Sequence, residues 1–115
     1  MYSTMKRDYK LYLNDIKESI FRIDEYLRNV SEQEFMKDKK LQDAVIRRIE
    51  IIGEASRNIP RSLKEKNMQV PWAKMEQYRD FIVHSYFEAS LRRIWTTSTT
   101  DLEIVKEAMK NITLV

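Results

Sequence analysis

Cysteine is absent from the 115 residues and histidine occurs once, at position 84. A disulfide framework is thereby excluded, as is a zinc site built from several Cys and His ligands. Glycine also occurs only once, at Gly53, and proline twice, at Pro60 and Pro71. A β-rich fold of this size needs several tight turns with positive φ, which glycine normally supplies. Helices joined by short loops do not, so the scarcity points to an all-α fold. No run of purely apolar residues exceeds three, far short of the roughly 20 needed to cross a bilayer. Lys6, Arg7, Asp8 and Lys10 are followed by no apolar stretch. No signal peptide is therefore expected, and the expected compartment is the cytoplasm.

What is present fits one helical domain. Hydrophobic residues make up 43% of the chain and charged residues 34%, enough to fill a core and to cover it. The 21 Lys+Arg exceed the 18 Asp+Glu by three, a balance that permits an anionic partner without demanding one. Tyr9, Leu13, Ile16, Ile20, Ile23, Leu27 and Val30 alternate in steps of four and three. That pattern predicts a helix from about Lys6 to Asn29, packed lengthwise on another at a shallow angle. Ser31 and Glu34 have the spacing of a capping box for a short turn through Lys37.

A second long helix is predicted over about Lys40–Ile59, ended by Pro60. Gly53 lies inside it, at a cost of roughly 1 kcal/mol relative to alanine, so its expected use is close approach of another helix. Arg61–Gln69 reads as a short helical turn plus loop. Pro71 suits a first helical position, giving a helix to about Tyr86. The last helix is expected from Ser90, as N-cap, toward Asn111, loosened or interrupted at Thr96–Thr100 and recapped by Asp101. The architecture is thus an all-α bundle of four to five helices over residues 1–115.

Reactive groups concentrate in Tyr78-Arg79-Asp80-Phe81-Ile82-Val83-His84-Ser85-Tyr86-Phe87. His84 is the side chain able to give and take a proton near neutral pH. Arg79 is a permanent cation whose planar fork matches two phosphate oxygens, and Tyr86 adds a phenolic hydroxyl. Together they suit a phosphodiester, and with an RNA 2′-OH as nucleophile no metal or cofactor is required. The same residues also fit plain structural roles: a histidine among apolar neighbours, an Arg79–Asp80 surface pair, a tyrosine at the core edge. On one continuous helix Arg79 and His84 point about 140° apart, so a single rigid helix does not aim both at one spot. Glu50 and Glu54 could hold Mg²⁺, but pairing with Arg47 and Arg57 three residues away is the expected arrangement. Arg47, Arg48, Arg57, Arg61, Lys64 and Lys66, with Arg92 and Arg93 further on, read as a solvated basic surface or a guide for a polyanion.

The segments Leu41–Ala55, Val70-Pro71-Trp72, Arg79-Asp80 through His84-x-Tyr86-Phe87, and Ile94-Trp95 closely resemble the HepT-like branch of the HEPN superfamily, in its order and spacing over about residues 5–112. The resemblance implies a homodimeric helical bundle in which Arg and His of both copies line a shared cleft. It further implies metal-independent RNA cleavage, tRNA being one candidate substrate, with Arg79 and His84 as catalytic residues and Asp80 in support. Tyr86 matches the tyrosine that an MntA-like nucleotidyltransferase antitoxin modifies with AMP to silence the toxin, in a type VII toxin–antitoxin system. The sequence departs from the family pattern at Ser85, where glycine is usual, at Gln77-Tyr78 and at Phe81. Those departures leave a second expectation open: a catalytically inactive HEPN module that binds nucleotide or a nucleotidyltransferase partner.

Overall fold

A computed structural model of the chain describes residues 7–82 and 87–115. All regular structure among the described residues is helical: α1 (Tyr9–Tyr26), α2 (Glu32–Lys37), α3 (Lys39–Arg57), α4 (Arg61–Lys66), α5 (Trp72–Glu76), α6 (Tyr78–Ile82), α7 (Glu88–Thr96), a π-helical turn (Thr97–Asp101) and α8 (Leu102–Met109). The shortest principal extent is 21 Å, the thickness of about two helices of 10–12 Å diameter laid on one another.

The 4-3 spacing of α1 places Leu13, Ile16, Ile20 and Ile23 on one buried stripe. That stripe lies along α3, and α1 with α3 form the most extensive helix pairing among the described residues. From α3, Val45, Ile49 and Ile52 are fully buried in the same core, joined by Val105 and Met109 of α8. Each fully buried aliphatic side chain contributes about 1.5–3 kcal/mol relative to exposure, so this seam dominates the fold. α3 is the hub: α1, α2, α5 and α6 all contact it.

Helix ends follow local chemistry. Asp8 caps α1 by accepting from the Lys10 N–H at 2.9 Å. The helix ends at Tyr26 rather than near Asn29, because Asn29 adopts φ = 61°, a left-handed conformation that Asn tolerates better than most residues. The capping box of α2 is complete: Ser31 Oγ accepts from the Glu34 N–H at 3.1 Å and Glu34 Oε1 accepts from the Ser31 N–H at 2.9 Å. Asp38 caps α3 through the Leu41 N–H at 3.1 Å.

Beyond α3 the chain is more broken than its sequence pattern suggests. Pro71 is the N-cap of α5 and not its first residue. The helix expected over 71–86 is interrupted at Gln77: α5 ends at Glu76, and α6 starts at Tyr78 and is described to Ile82. α7 starts at Glu88 with Phe87 as N-cap, so Ser90 lies inside the helix. The Thr/Ser patch loosens the helix without ending it: Thr99 Oγ1 donates back to the Trp95 carbonyl at 2.8 Å, and the backbone widens into the π turn. Asp101 makes no side-chain cap and instead pairs with Lys74 at 3.5 Å.

Asn67 ties the α4–α5 connection to the C-terminal tail. Buried at 1% exposure, its Nδ2 donates to the carbonyls of Leu63 and Thr113, both at 2.8 Å. Its Oδ1 accepts from the Thr113 N–H at 2.7 Å, and its own carbonyl accepts from Trp72 Nε1 at 3.0 Å. No helix of the described residues is long and apolar enough to cross a membrane.

Candidate functional site

The site is built where α5 and α6 cross α3. Tyr78 anchors α6 by burying its ring, at 2% exposure; burial, reinforced by Asp101, pushes its phenol well above the ordinary tyrosine range. With Tyr78 pinned inward, Arg79 and Asp80 lie on the exposed side of the same turn. Gly53 allows the close approach: a Cβ there would stand 3.3 Å from Arg79 Cγ and 3.4 Å from both the Arg79 nitrogen and the Met75 carbonyl oxygen. The expected function of this glycine, helix approach, is therefore met within one molecule.

Two ion pairs cross between α3 and α6. Arg79 Nη1 donates to Glu54 Oε2 at 2.8 Å. Arg57 Nη2 lies 3.8 Å from Asp80 Oδ1 and donates to the Glu76 carbonyl at 3.4 Å. The expected Arg47–Glu50 pair forms, at 2.8 Å. The expected Arg57–Glu54 pair does not: Glu54 is taken by Arg79 of α6, and Arg57 turns to the Glu76 carbonyl of α5 and to Asp80. Nor do Arg79 and Asp80 pair with each other: adjacent residues on a turn diverge, and each meets its counter-ion on α3.

Beside this crossing, a cleft of about 310 Å³ runs between α1 and α3, walled by Arg7, Tyr12, Asp15, Arg47, Glu50 and Glu54 over Ile51 and Ala55. Arg7 stacks over the Tyr12 ring at 4.6 Å and pairs with Asp15 at 2.7 Å. The basic stretch in the middle of the sequence is dispersed rather than gathered: Lys64 pairs with Glu76 at 2.9 Å on the α4–α5 side, away from Arg47. Among the described residues no cluster of three or more His, Cys, Asp or Glu side chains could hold a metal ion.

Of the four predicted site residues, Arg79 and Asp80 stand side by side on α6; His84 and Tyr86 lie outside the described residues. Glu54 escaped sequence reasoning as a member of the site. Local spacing pointed it toward Arg57, and only the position of Gly53 hinted that α3 meets another element at this level.

The fold and site define an all-helical protein that presents a guanidinium, paired with a carboxylate of the neighbouring helix, at an open surface. Residues 16–112 match the family model described as "Ribonuclease HepT-like", and the chain belongs to that family. It is 45% identical over 102 residues to a "Probable ribonuclease HepT" of Thermococcus cleftensis, covering 89% of this chain and 93% of that one. A Caldanaerobacter subterraneus protein with a provisional RNase name is 35% identical over 101 residues, covering 88% of this chain and 90% of its own. A Methanocaldococcus jannaschii protein, named both as a gamma-glutamylcyclotransferase and provisionally as an RNase, is 44% identical over 108 residues; these span 94% of this chain but 49% of that longer one. No solved structure matches the chain. Ribonuclease activity is thus supported at the level of the family.

Proposed function

We propose that the protein is a metal-independent endoribonuclease acting as a homodimer, the toxin of a type VII toxin–antitoxin system. Arg79 holds the scissile phosphate and stabilises the charge that builds on it. His84 takes the proton of the attacking 2′-OH and returns one to the leaving oxygen. Asp80 supports the site, here by engaging Arg57 of α3. Assembly of the cleft from two copies removes the 140° divergence of Arg79 and His84 on a single helix. The observation that carries this reading is the Arg79 guanidinium on the open face of α6, its side chain 45% exposed, in a chain of a ribonuclease family.

Regulation follows from Tyr86. Its modification with AMP by an MntA-like nucleotidyltransferase adds a bulky anion to the cationic cleft of the dimer, where it would block RNA and neutralise Arg79. The expected location is the cytoplasm, and one HEPN domain spans the 115 residues.

The test is incubation of the purified protein with RNA in EDTA. Loss of chain integrity is expected for the wild type, and none for Arg79→Ala or His84→Ala. Equal cleavage by His84→Ala would remove that residue from the mechanism, and no cleavage by the wild type would leave a non-catalytic nucleotidyltransferase partner as the reading.

A further inference from the structure

The α3–α6 crossing assigns a role to a carboxylate outside the Arg-x4-His-x-Tyr motif. We propose that Glu54 is a positioning residue: reaching from α3, it fixes the plane of the Arg79 guanidinium so that its remaining N–H donors meet the substrate phosphate. The proposal deepens the reading of Arg79 given above and rests on it.

An arginine side chain carries about 2 kcal/mol of rotamer entropy, so holding the Arg79 guanidinium in one orientation takes contacts from outside its own turn. α3, with 19 residues and Val45, Ile49 and Ile52 at 0% exposure, is the rigid partner. It grips Arg79 at both ends. Near the backbone, the bare Gly53 surface lets the Arg79 Cγ lie against the helix. At the tip, Glu54 accepts from Nη1 at 2.8 Å. Nε and Nη2 then remain for two oxygens of a phosphate, the bidentate geometry in which arginine excels. The crossed pair keeps this arrangement unambiguous, since Arg57 is drawn to Asp80 and the Glu76 carbonyl and does not compete for Glu54.

Stability does not account for the pair. The side chains of Arg79 and Glu54 are 45% and 56% exposed, and ion pairs at such positions contribute on the order of 0–1 kcal/mol. A preorganised donor is worth far more in a transition state than in a folded ground state, because a small misplacement costs on the order of a hundredfold in rate.

The experiment compares Glu54→Ala, Glu54→Gln and, as control, Glu25→Ala, whose partner Arg22 sits on its own helix. All three should melt within a few degrees of the wild type. Glu54→Ala should lower kcat for RNA cleavage on the order of ten- to a hundredfold with little change in KM. Glu54→Gln, which keeps an acceptor oxygen, should recover most of the loss, and Glu25→Ala should cleave normally. Arginine-selective ¹⁵N NMR supplies a readout independent of turnover: rotation of the Arg79 guanidinium should be slow in the wild type and fast in Glu54→Ala. Cleavage by Glu54→Ala at the wild-type rate, or equally fast guanidinium rotation in both proteins, would overturn the proposal. An inactive wild type whose Arg79 is nevertheless immobilised would sink the ribonuclease reading while leaving the positioning contact in place.

Discussion

At the residue scale, two positions carry consequences out of proportion to their size. Gly53 is the point at which α3 admits α6. Gly53→Ala gains about 1 kcal/mol of helix propensity, but its methyl meets Arg79 Cγ at 3.3 Å, tighter than an ordinary contact, while the Arg79 nitrogen and the Met75 carbonyl oxygen stand at the 3.4 Å edge of ordinary contact. The expected outcome is a melting temperature near the wild type and a clear loss of RNA cleavage, because the yielding atoms belong to Arg79. Calorimetry and the RNA assay on the same preparation check it. Asn67 has the opposite signature. Asn67→Ala abandons the side-chain bonds to Leu63 and Thr113 inside the protein, an expected loss of about 2–3 kcal/mol readable from denaturant midpoints, with kcat unchanged at temperatures where the variant is folded.

At the element scale, the first half of the chain was legible because its signals are local. The four-three stripe that runs along α1, the Ser31–Glu34 capping box and the stop before Pro60 each depend on neighbours within a turn or two. The box also predicts a pH response. By accepting from the Ser31 N–H, Glu34 is held below the ordinary glutamate range, so its contribution is full above pH ~4.3 and fades as the pH drops through its lowered folded value. Glu34→Gln should flatten that acid limb of the stability curve, and Ser31→Ala should cost about 1 kcal/mol at neutral pH. An unchanged acid limb in Glu34→Gln would show that the box carries no linkage. The second half was less legible for a physical reason. The break at Gln77, the start of α7 at Glu88 and the π turn at Thr97–Asp101 are settled by tertiary partners, such as the burial of Tyr78 and the Lys74–Asp101 pair, to which periodicity is blind. Glu54 was misassigned for the same cause: an i, i+3 partner was visible in the sequence, a partner 25 residues away was not.

At the scale of the whole molecule, the α1–α3–α8 seam supplies a rigid body and the α5–α6 crossing displays Arg79 on its surface. Truncating the seam, as in Ile49→Ala, should cost about 2–5 kcal/mol, whereas Arg79→Ala should leave stability within roughly 0.5 kcal/mol and abolish cleavage. That contrast separates the scaffold from the chemistry it carries. If a guanidinium and an imidazole act together on one RNA phosphate with the 2′-OH as nucleophile, the chemistry leaves a signature in its products. The 2′-oxygen displaces the 5′-oxygen, so each cut yields a 2′,3′-cyclic phosphate and a free 5′-hydroxyl. End-group analysis of RNA digested by the wild-type protein in EDTA is the most direct test. The account predicts cyclic phosphate and 5′-hydroxyl termini, absent with Arg79→Ala and His84→Ala; 5′-phosphate and 3′-hydroxyl termini, or cutting that requires a divalent cation, would contradict it.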